Sequence, residues 1–320
     1  MKKVFVLLLL FVLFVTGCSK LYKIEKTEEL MGTFVTITII DRDVKYGSYA
    51  IKEAFKEMRR IEAIMSIYNE TSEVFRLNEQ GYLENASNEL LFVIKKSLYY
   101  SNISNGAFDI TVQPLLDLYT DSFKNNGRPP TEEEIEIQKQ LVNYENIIIE
   151  NKTILFKKKG IKITLGGIAK GYAIDRAMLI LEKNDIHNAL VNAGGDLKAI
   201  GTKEHNKSWT VALQNPRDRT DFITIIPVYN KAVATSGDYE RYFVENKSAH
   251  HIMNPKTGKS ATDLISVTII AKNAIDADAI ATAVFVLGEE RGLDLIRKEK
   301  AEGLIITNNK EIYRTDGFKD

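Results

Sequence analysis

Gly166, Gly167 and Gly171 fall inside the segment Thr164-Leu165-Gly166-Gly167-Ile168-Ala169-Lys170-Gly171-Tyr172-Ala173-Ile174-Asp175, where a β-rich run gives way to a helical pattern. A junction this rich in glycine constrains the fold. Glycine lets another backbone or a ligand oxygen approach closely, and a helix N-terminus offers unpaired N–H donors with a partial positive charge. Lys170 adds a full charge there. The spacing is neither Gly-x-Gly-x-x-Gly nor Gly-x-x-x-x-Gly-Lys-Ser/Thr, so neither a dinucleotide-binding dehydrogenase nor an ordinary ATPase is indicated. Two readings stay open at this point: a cradle for phosphate, and a tight turn carrying a solvated lysine.

The 320 residues suit one large unit or two intimately joined lobes. Lys plus Arg and Asp plus Glu both number 43 and no long basic run occurs, so the footprint of a nucleic-acid binder is missing. Lys2 and Lys3 precede an apolar run from Val4 to Val15, which is shorter than the roughly 20 residues of a membrane-spanning helix. The run ends at Val15-Thr16-Gly17-Cys18, small residues before a cysteine that resemble the bacterial lipobox. The expectation is a leader over 1–17, a lipid on Cys18 that anchors the chain extracytoplasmically to a bacterial membrane, a polar tether over 18–27, and folding from residue 28 to 320. Cys18 is the only cysteine, which excludes internal disulfides, zinc ribbons and thiol catalysis.

Val35, Ile37 and Ile39 alternate with Thr36 and Thr38, the pattern of a half-buried strand. Ile51, Ala54, Phe55, Met58, Ile61 and Met65 recur at helical spacing, predicting a helix over about 47–66. Another is expected over 88–101, and Thr131 with Glu134 forms a capping box. Short strands are expected at 146–150, 153–157 and 161–164, then a helix from Lys170 to about Asn184. Further strands follow at 189–192, 209–214, 222–229 and 264–271, with a helix over 275–287. Mixed elements without regular alternation predict an α+β fold with mostly antiparallel sheets.

Asp278 and Thr282 stand four apart, so a helix projects both oxygens from one face, as a hard cation such as Mg²⁺ requires. Helix capping would use an aspartate there equally well. His250-His251-Ile252-Met253-Asn254-Pro255-Lys256-Thr257-Gly258 places a titratable group before a turn, suited to act as base or donor. Gly106-Ala107-Phe108-Asp109 sets an aromatic, able to stack on a ring, beside a carboxylate that can bond its edge. Ordinary core packing would use Phe108 as well.

Taken together, Met31-Gly32-Thr33, Ser72-Glu73 with Arg76-Leu77-Asn78, the Gly106–Thr111 run, Gly166–Asp175, Asn192–Asp196, Thr235–Phe243, His251–Gly258 and Asp278–Thr282 occur in the order and spacing of one family. The chain resembles the ApbE family of FAD:protein FMN transferases over almost all of its mature length. The resemblance implies an Mg²⁺-dependent cleavage of the FAD pyrophosphate, with FMN passed to a threonine of an exported flavoprotein and AMP released. Acceptors in such a family include subunits of RNF-type and sodium-translocating NADH:quinone oxidoreductases. By the same resemblance the metal ligands are Asp278, Thr282 and the carbonyl of Ala169. The flavin contacts it implies are Met31, Tyr68, Ala107, Phe108, Asp109, Gly166, Lys170, Tyr172, His251 and Ile252, with Asn78 near the pocket. His251, Asp278 and Lys170 are the expected catalytic groups, His251 assisting proton removal from the acceptor. Thr164 stands where the family commonly has aspartate, and the segment after Leu115 lacks the family's tryptophan-glycine-phenylalanine pattern. Competing readings are an FAD pyrophosphatase in which water attacks, a non-catalytic FAD-binding lipoprotein, and a solute-binding lipoprotein of a transporter.

Overall fold

The computed structural model describes residues 20–203, 206–244 and 249–319, so the leader and Cys18 lie outside the described residues. Its helices are α1 (Val44–Met65), α2 (Glu73–Gln80), α3 (Asn88–Ile103), α4 (Gln113–Asn126), α5 (Glu132–Lys139), α6 (Ala169–Lys183), α7 (Ala274–Leu287) and α8 (Glu289–Lys298). The strands up to the middle of the chain are β1 (Tyr22–Leu30), β2 (Thr33–Asp41), β3 (Tyr82–Leu83), β4 (Ile147–Glu150), β5 (Thr153–Phe156), β6 (Ala189–Ala193) and β7 (Asp196–Ile200). After them come β8 (Trp209–Asn215), β9 (Asp218–Val228), β10 (Lys231–Gly237), β11 (Met253–Asn254), β12 (Lys259–Ser260), β13 (Leu264–Ala271), β14 (Glu302–Thr307) and β15 (Ile312–Arg314).

Among the described residues the main sheet runs β1-β2-β6-β7-β10-β13-β14-β15, with every neighbouring pair antiparallel. The fold is thus α+β, as the mixed pattern predicts. Alternation along the strands gives the sheet two apolar faces. On one, Val35, Ile37, Ile39, Val191 and Val267 pack against Phe55, Met58, Ala173, Ala177 and Phe285 of α1, α6 and α7. On the other, the β8–β9 hairpin lays Trp209, Leu213, Ile226 and Val228 on Ile40, Leu197, Val233 and Ile270. None of the described helices is long and apolar enough to cross a membrane.

Two expectations are corrected. Residues 22–27, read as tether, are most of β1, which pairs with β2 from Tyr22↔Asp41 to Leu30↔Thr33. Only Ile24 and Leu30 of β1 are buried, because an edge strand with one wet face needs few apolar residues, and its pattern reads as polar linker. Residues 161–164 are not a strand; β3 takes the place beside β5 in a small sheet ordered β3-β5-β4. The backbone of Ile163 instead bonds the side chain of Asn78.

Helix ends are fixed where the sequence indicated and also where it did not. The Thr131–Glu134 capping box is present at α5. The start of α7 has no cap of its own: Asp175 of α6 accepts from Ala274 N at 3.1 Å and Ile275 N at 2.9 Å. This cross-helix cap locks α7 to α6, which positions the site described next.

Candidate active site

The glycines of the junction are used for close approach between helices. A Cβ on Gly171 would lie 2.3 Å from the Ala274 carbonyl oxygen, and one on Gly167 would lie 2.8 Å from Thr282 Oγ1. With those side chains absent, the first turn of α6 sits directly on α7, and Gly171 N–H donates to Asp278 Oδ2 at 2.9 Å. Asp278 and Thr282 therefore face the Gly167–Gly171 segment that contains Ala169. The tertiary structure thus brings Asp278 and Thr282 against the segment that holds Ala169.

Lys170 reaches the other wall. Its Nζ is 2.8 Å from Asp196 Oδ2, and Asp196 Oδ1 accepts from Thr235 N at 3.0 Å. Burial works against the Lys170 charge, but the carboxylates of Asp196, Asp278 and Glu240 outweigh it and hold the ammonium above its ordinary range. Burial, reinforced by the charge of Asp196, pushes Asp278 up to about 7, with Lys170 and the Gly171 N–H pulling the other way. Ser236 Oγ lies 3.3 Å from Thr282 Oγ1, so β10 closes the cluster from the sheet side.

The cluster lies at one end of the sheet, where the turns converge. Met31 and Gly32 both have positive φ (54° and 70°), as the tight β1–β2 hairpin requires. A Cβ on Gly194 would meet Thr33 Oγ1 at 2.4 Å, so the β6–β7 turn touches that hairpin. Arg241 extends over the same place, its Nη2 3.7 Å from where a Gly32 Cβ would be. Its loop is braced by Arg217 from the β8–β9 turn, bidentate to Asp238 at 2.7 and 2.6 Å.

The two histidines separate by their partners. His250 has both ring nitrogens engaged, Nε2 with the Ala261 carbonyl at 2.8 Å and Nδ1 with Ile252 N at 3.3 Å, so it is structural. His251 Nδ1 lies 2.9 Å from the Arg241 carbonyl. A carbonyl only accepts, so Nδ1 carries the proton and Nε2 keeps a lone pair. Burial, followed by the nearby Arg241 and Lys170 charges, pushes His251 down to about 4, which keeps it neutral at pH 7.

Other expected flavin contacts divide. Tyr68 is 84% exposed on the loop after α1, and Met31 is half-buried with its N–H on Glu62 Oε1 at 2.7 Å. Gly166 is exposed, and its N–H donates to Thr164 Oγ1 at 3.3 Å, a local turn that an aspartate at 164 would also make. Tyr172 is buried against Phe92, ring centroids 5.6 Å apart, and Ala107 and Ile252 are buried as well. The side chains of Phe108 and Asp109 are engaged within the fold. Phe108 is core against Tyr100 at 6.3 Å, and Asp109 accepts from Thr111 N, Thr111 Oγ1 and Tyr144 N at 2.8, 2.6 and 2.9 Å. Asn78 is likewise spent: its amide donates to Ile163 O at 2.9 Å and accepts from Ile163 N at 2.7 Å, pinning the chain that leads into the glycine segment. Asn78→Ala leaves both groups unpaired and is expected to cost about 1–3 kcal/mol in urea unfolding. A loss under a few tenths would refute the pinning role.

Sequence reasoning marked the turns at Asn192–Asp196 and Ser236–Glu240 but gave Asp196, Ser236 and Arg241 no role. Asp196 follows Gly194-Gly195, a signal for a carboxylate at a backbone turn, but its partner Lys170 is 26 positions away and only the fold joins them. Among the described residues no group of three His, Cys, Asp or Glu gathers around one point. A cavity of about 800 Å³ is lined in part by Tyr119, Pro130, Ile135, Lys259 and Ala261. No side chain of the cluster lines it; Ala261 bonds the structural His250 through its carbonyl.

The ApbE family model matches residues 31–305. The FAD:protein FMN transferase of Vibrio cholerae is 30% identical over 318 residues, 96% of this chain and 93% of that protein. The FAD:protein FMN transferase of Escherichia coli K12 is 27% identical over 331 residues, 97% of this chain and 94% of that one. Among solved structures, the ApbE protein of Thermotoga maritima has a TM-score of 0.85 at 35% identity, covering 93% of this chain and 97% of its own. The flavin transferase ApbE of Vibrio cholerae has a TM-score of 0.81 at 28% identity, covering 93% and 99%.

Proposed function

Because the chain belongs to the ApbE family, we propose that it is an Mg²⁺-dependent FAD:protein FMN transferase that esterifies a threonine of an exported flavoprotein and releases AMP. The observation that carries this reading is the joining of Asp278 and Thr282 to the N-terminus of α6 beside Lys170, with a histidine base nearby.

The residues fit a magnesium ion. Asp278, Thr282 and the Ala169 carbonyl are all oxygen donors, and Asp278 has a buried carboxylate whose charge is poorly compensated, which a cation would relieve. When bound there, Mg²⁺ neutralises charge on diphosphate oxygens. Lys170 binds and orients the same oxygens, while the Ala169 and Gly171 N–H groups at the start of α6 stay engaged with Leu165 O and Asp278. His251 Nε2 accepts the proton of the threonine hydroxyl as its oxygen bonds to the FMN phosphorus. The bond from that phosphorus to the bridging oxygen breaks, and AMP departs with the oxygen. Neutral at pH 7, His251 is poised to take the proton.

His251→Ala is expected to slow transfer by about 10²–10⁴-fold with FAD binding retained. The wild-type acid limb from this group falls near pH 4, well below that of a free imidazole. An alanine variant with wild-type rate and pH dependence would remove His251 from the mechanism. The direct assay is intact-mass spectrometry of an acceptor fragment after incubation with FAD and Mg²⁺. A gain of one FMN phosphoester, lost when the threonine is changed, supports transfer. Free FMN and AMP with an unmodified acceptor indicate the pyrophosphatase, and intact FAD indicates a binding protein.

The location is part of the same proposal: a diacylglyceryl group on Cys18 holds the enzyme on the outer side of a bacterial membrane. Mass analysis of the membrane-extracted protein tests it, since Cys18→Ser would abolish both the lipid and the membrane fraction.

A further inference from the structure

We infer that the corner formed by the start of β1 and the first turns of α1 rests on the bilayer interface, and that the sheet holds the active site at its far end, away from the membrane. The inference rests on the reading of Cys18 as the anchor.

Length of chain is the first argument. Only Ser19 separates Cys18 from Lys20, so the span to the described fold is at most about 7 Å at 3.6 Å per residue. Two residues further on, Tyr22 is already paired with Asp41 in the sheet. The interfacial layer of a bilayer is itself about 5–8 Å thick on each side. A lipid on Cys18 therefore cannot hold the domain off the surface. A tether running to residue 27 would have allowed the enzyme to turn freely; the strand removes that freedom.

The chemistry of the corner is the second. Leu21, Tyr22, Val44, Tyr46 and Tyr49 are each between 40% and 53% exposed. They share one place, because Gly47 of α1 lies against the side chains of Ile24 and Ile39, 2.5 and 2.7 Å from where its Cβ would be. The Tyr46 and Tyr49 rings are 6.4 Å apart, and Lys20 Nζ is 5.3 Å from the Tyr22 ring. Arg42 and Lys45 are exposed beside them. The acidic Asp41 and Asp43 turn their carboxylates to backbone N–H groups of the β2–α1 turn. Tyrosines with an apolar body and a polar tip, mixed with basic side chains that extend along apolar surface, suit the headgroup region.

The third is topology. The β1–β2 hairpin turn, the Gly194-Gly195 turn and the end of β10 lie at the sheet end opposite Tyr22 and Asp41. β1 has 9 residues, so with a rise of about 3.4 Å per residue the site stands up to about 27 Å from the anchored corner. An acceptor threonine must then be carried on a segment that rises to that height; one lying at the membrane surface is out of reach.

The test uses the mature chain beginning at Cys18, coupled through its only thiol to a maleimide lipid in phosphatidylethanolamine–phosphatidylglycerol vesicles containing brominated phosphatidylcholine. Tyr46→Trp and, separately, Tyr49→Trp report the corner; Phe34→Trp, 69% exposed next to the β1–β2 turn, reports the opposite end. The wild-type chain, whose single tryptophan is Trp209, supplies the background. Strong quenching of the two corner tryptophans with none at position 34 is expected. Equal quenching at both ends, or none at the corner, overturns the inference. Lipidation in the cell is read independently from the mass of Cys18, so a wrong anchor and a wrong orientation give different results.

Discussion

Exchanging Asp278 for asparagine is expected to lower FMN transfer by about a hundredfold or more, since loss of a supporting residue alone typically costs 10–100-fold in metal affinity or activity. The isosteric amide keeps the packing under Gly171 but removes the one carboxylate of the expected ligand set. The measurement is the rate of acceptor mass gain at low and high magnesium. A variant fully active at low magnesium would refute metal binding by Asp278. The same carboxylate shapes stability without metal. Unfolded, an aspartate titrates near 3.9; folded, Asp278 is pushed up to about 7. Between those values the folded state holds a proton that the unfolded state has released. Its contribution therefore makes the metal-free protein less stable as pH rises from about 4 to about 7, with the loss complete above that. Thermal unfolding in chelator at pH 5 and pH 8 should show this decline in the wild type and a flatter profile in Asp278→Asn. Added magnesium should restore stability most at pH 8.

Gly171→Ala is expected to destabilise the chain by about 1–3 kcal/mol and to reduce transfer, although glycine offers no side chain to the reaction. The added methyl would stand 2.3 Å from Ala274 O, 2.6 Å from its carbonyl carbon and 2.8 Å from Ile275 Cα. All three are backbone atoms, so relief requires α6 and α7 to move apart. That movement stretches the Gly171–Asp278 hydrogen bond and the Asp175 cap together. Gly127→Ala is the comparison. It has a positive φ of 61° and nothing within 4 Å, so it should show only the cost of a left-handed residue, about 1–2 kcal/mol, with transfer intact. Equal loss of activity in both variants would mean that close helix packing does not set the site's geometry.

Local pattern made several elements legible in advance. The alternation of Val35, Ile37 and Ile39, the helical spacing from Ile51 to Met65 and the Thr131–Glu134 box each describe a preference that a short window carries by itself. The Asp278–Thr282 pair was visible for the same reason, as a helix of fixed pitch puts both on one face. β1 was missed because a single buried isoleucine and a terminal leucine are all that an edge strand needs, and pairing with β2 supplies the rest. The capping of α7 by Asp175 and the Lys170–Asp196 contact join residues 99 and 26 positions apart, and no window holds both partners. Which ring nitrogens of His250 and His251 are hydrogen-bonded, and that Asn78 and Asp109 bond within the fold, depends on carbonyls and amides brought together by loops. The sequence by itself determined the chemical inventory and the class of fold, because residue type and periodicity are local properties. The tertiary structure decided which groups share a site and their charge, because burial and long-range hydrogen bonds exist only once the sheet is assembled.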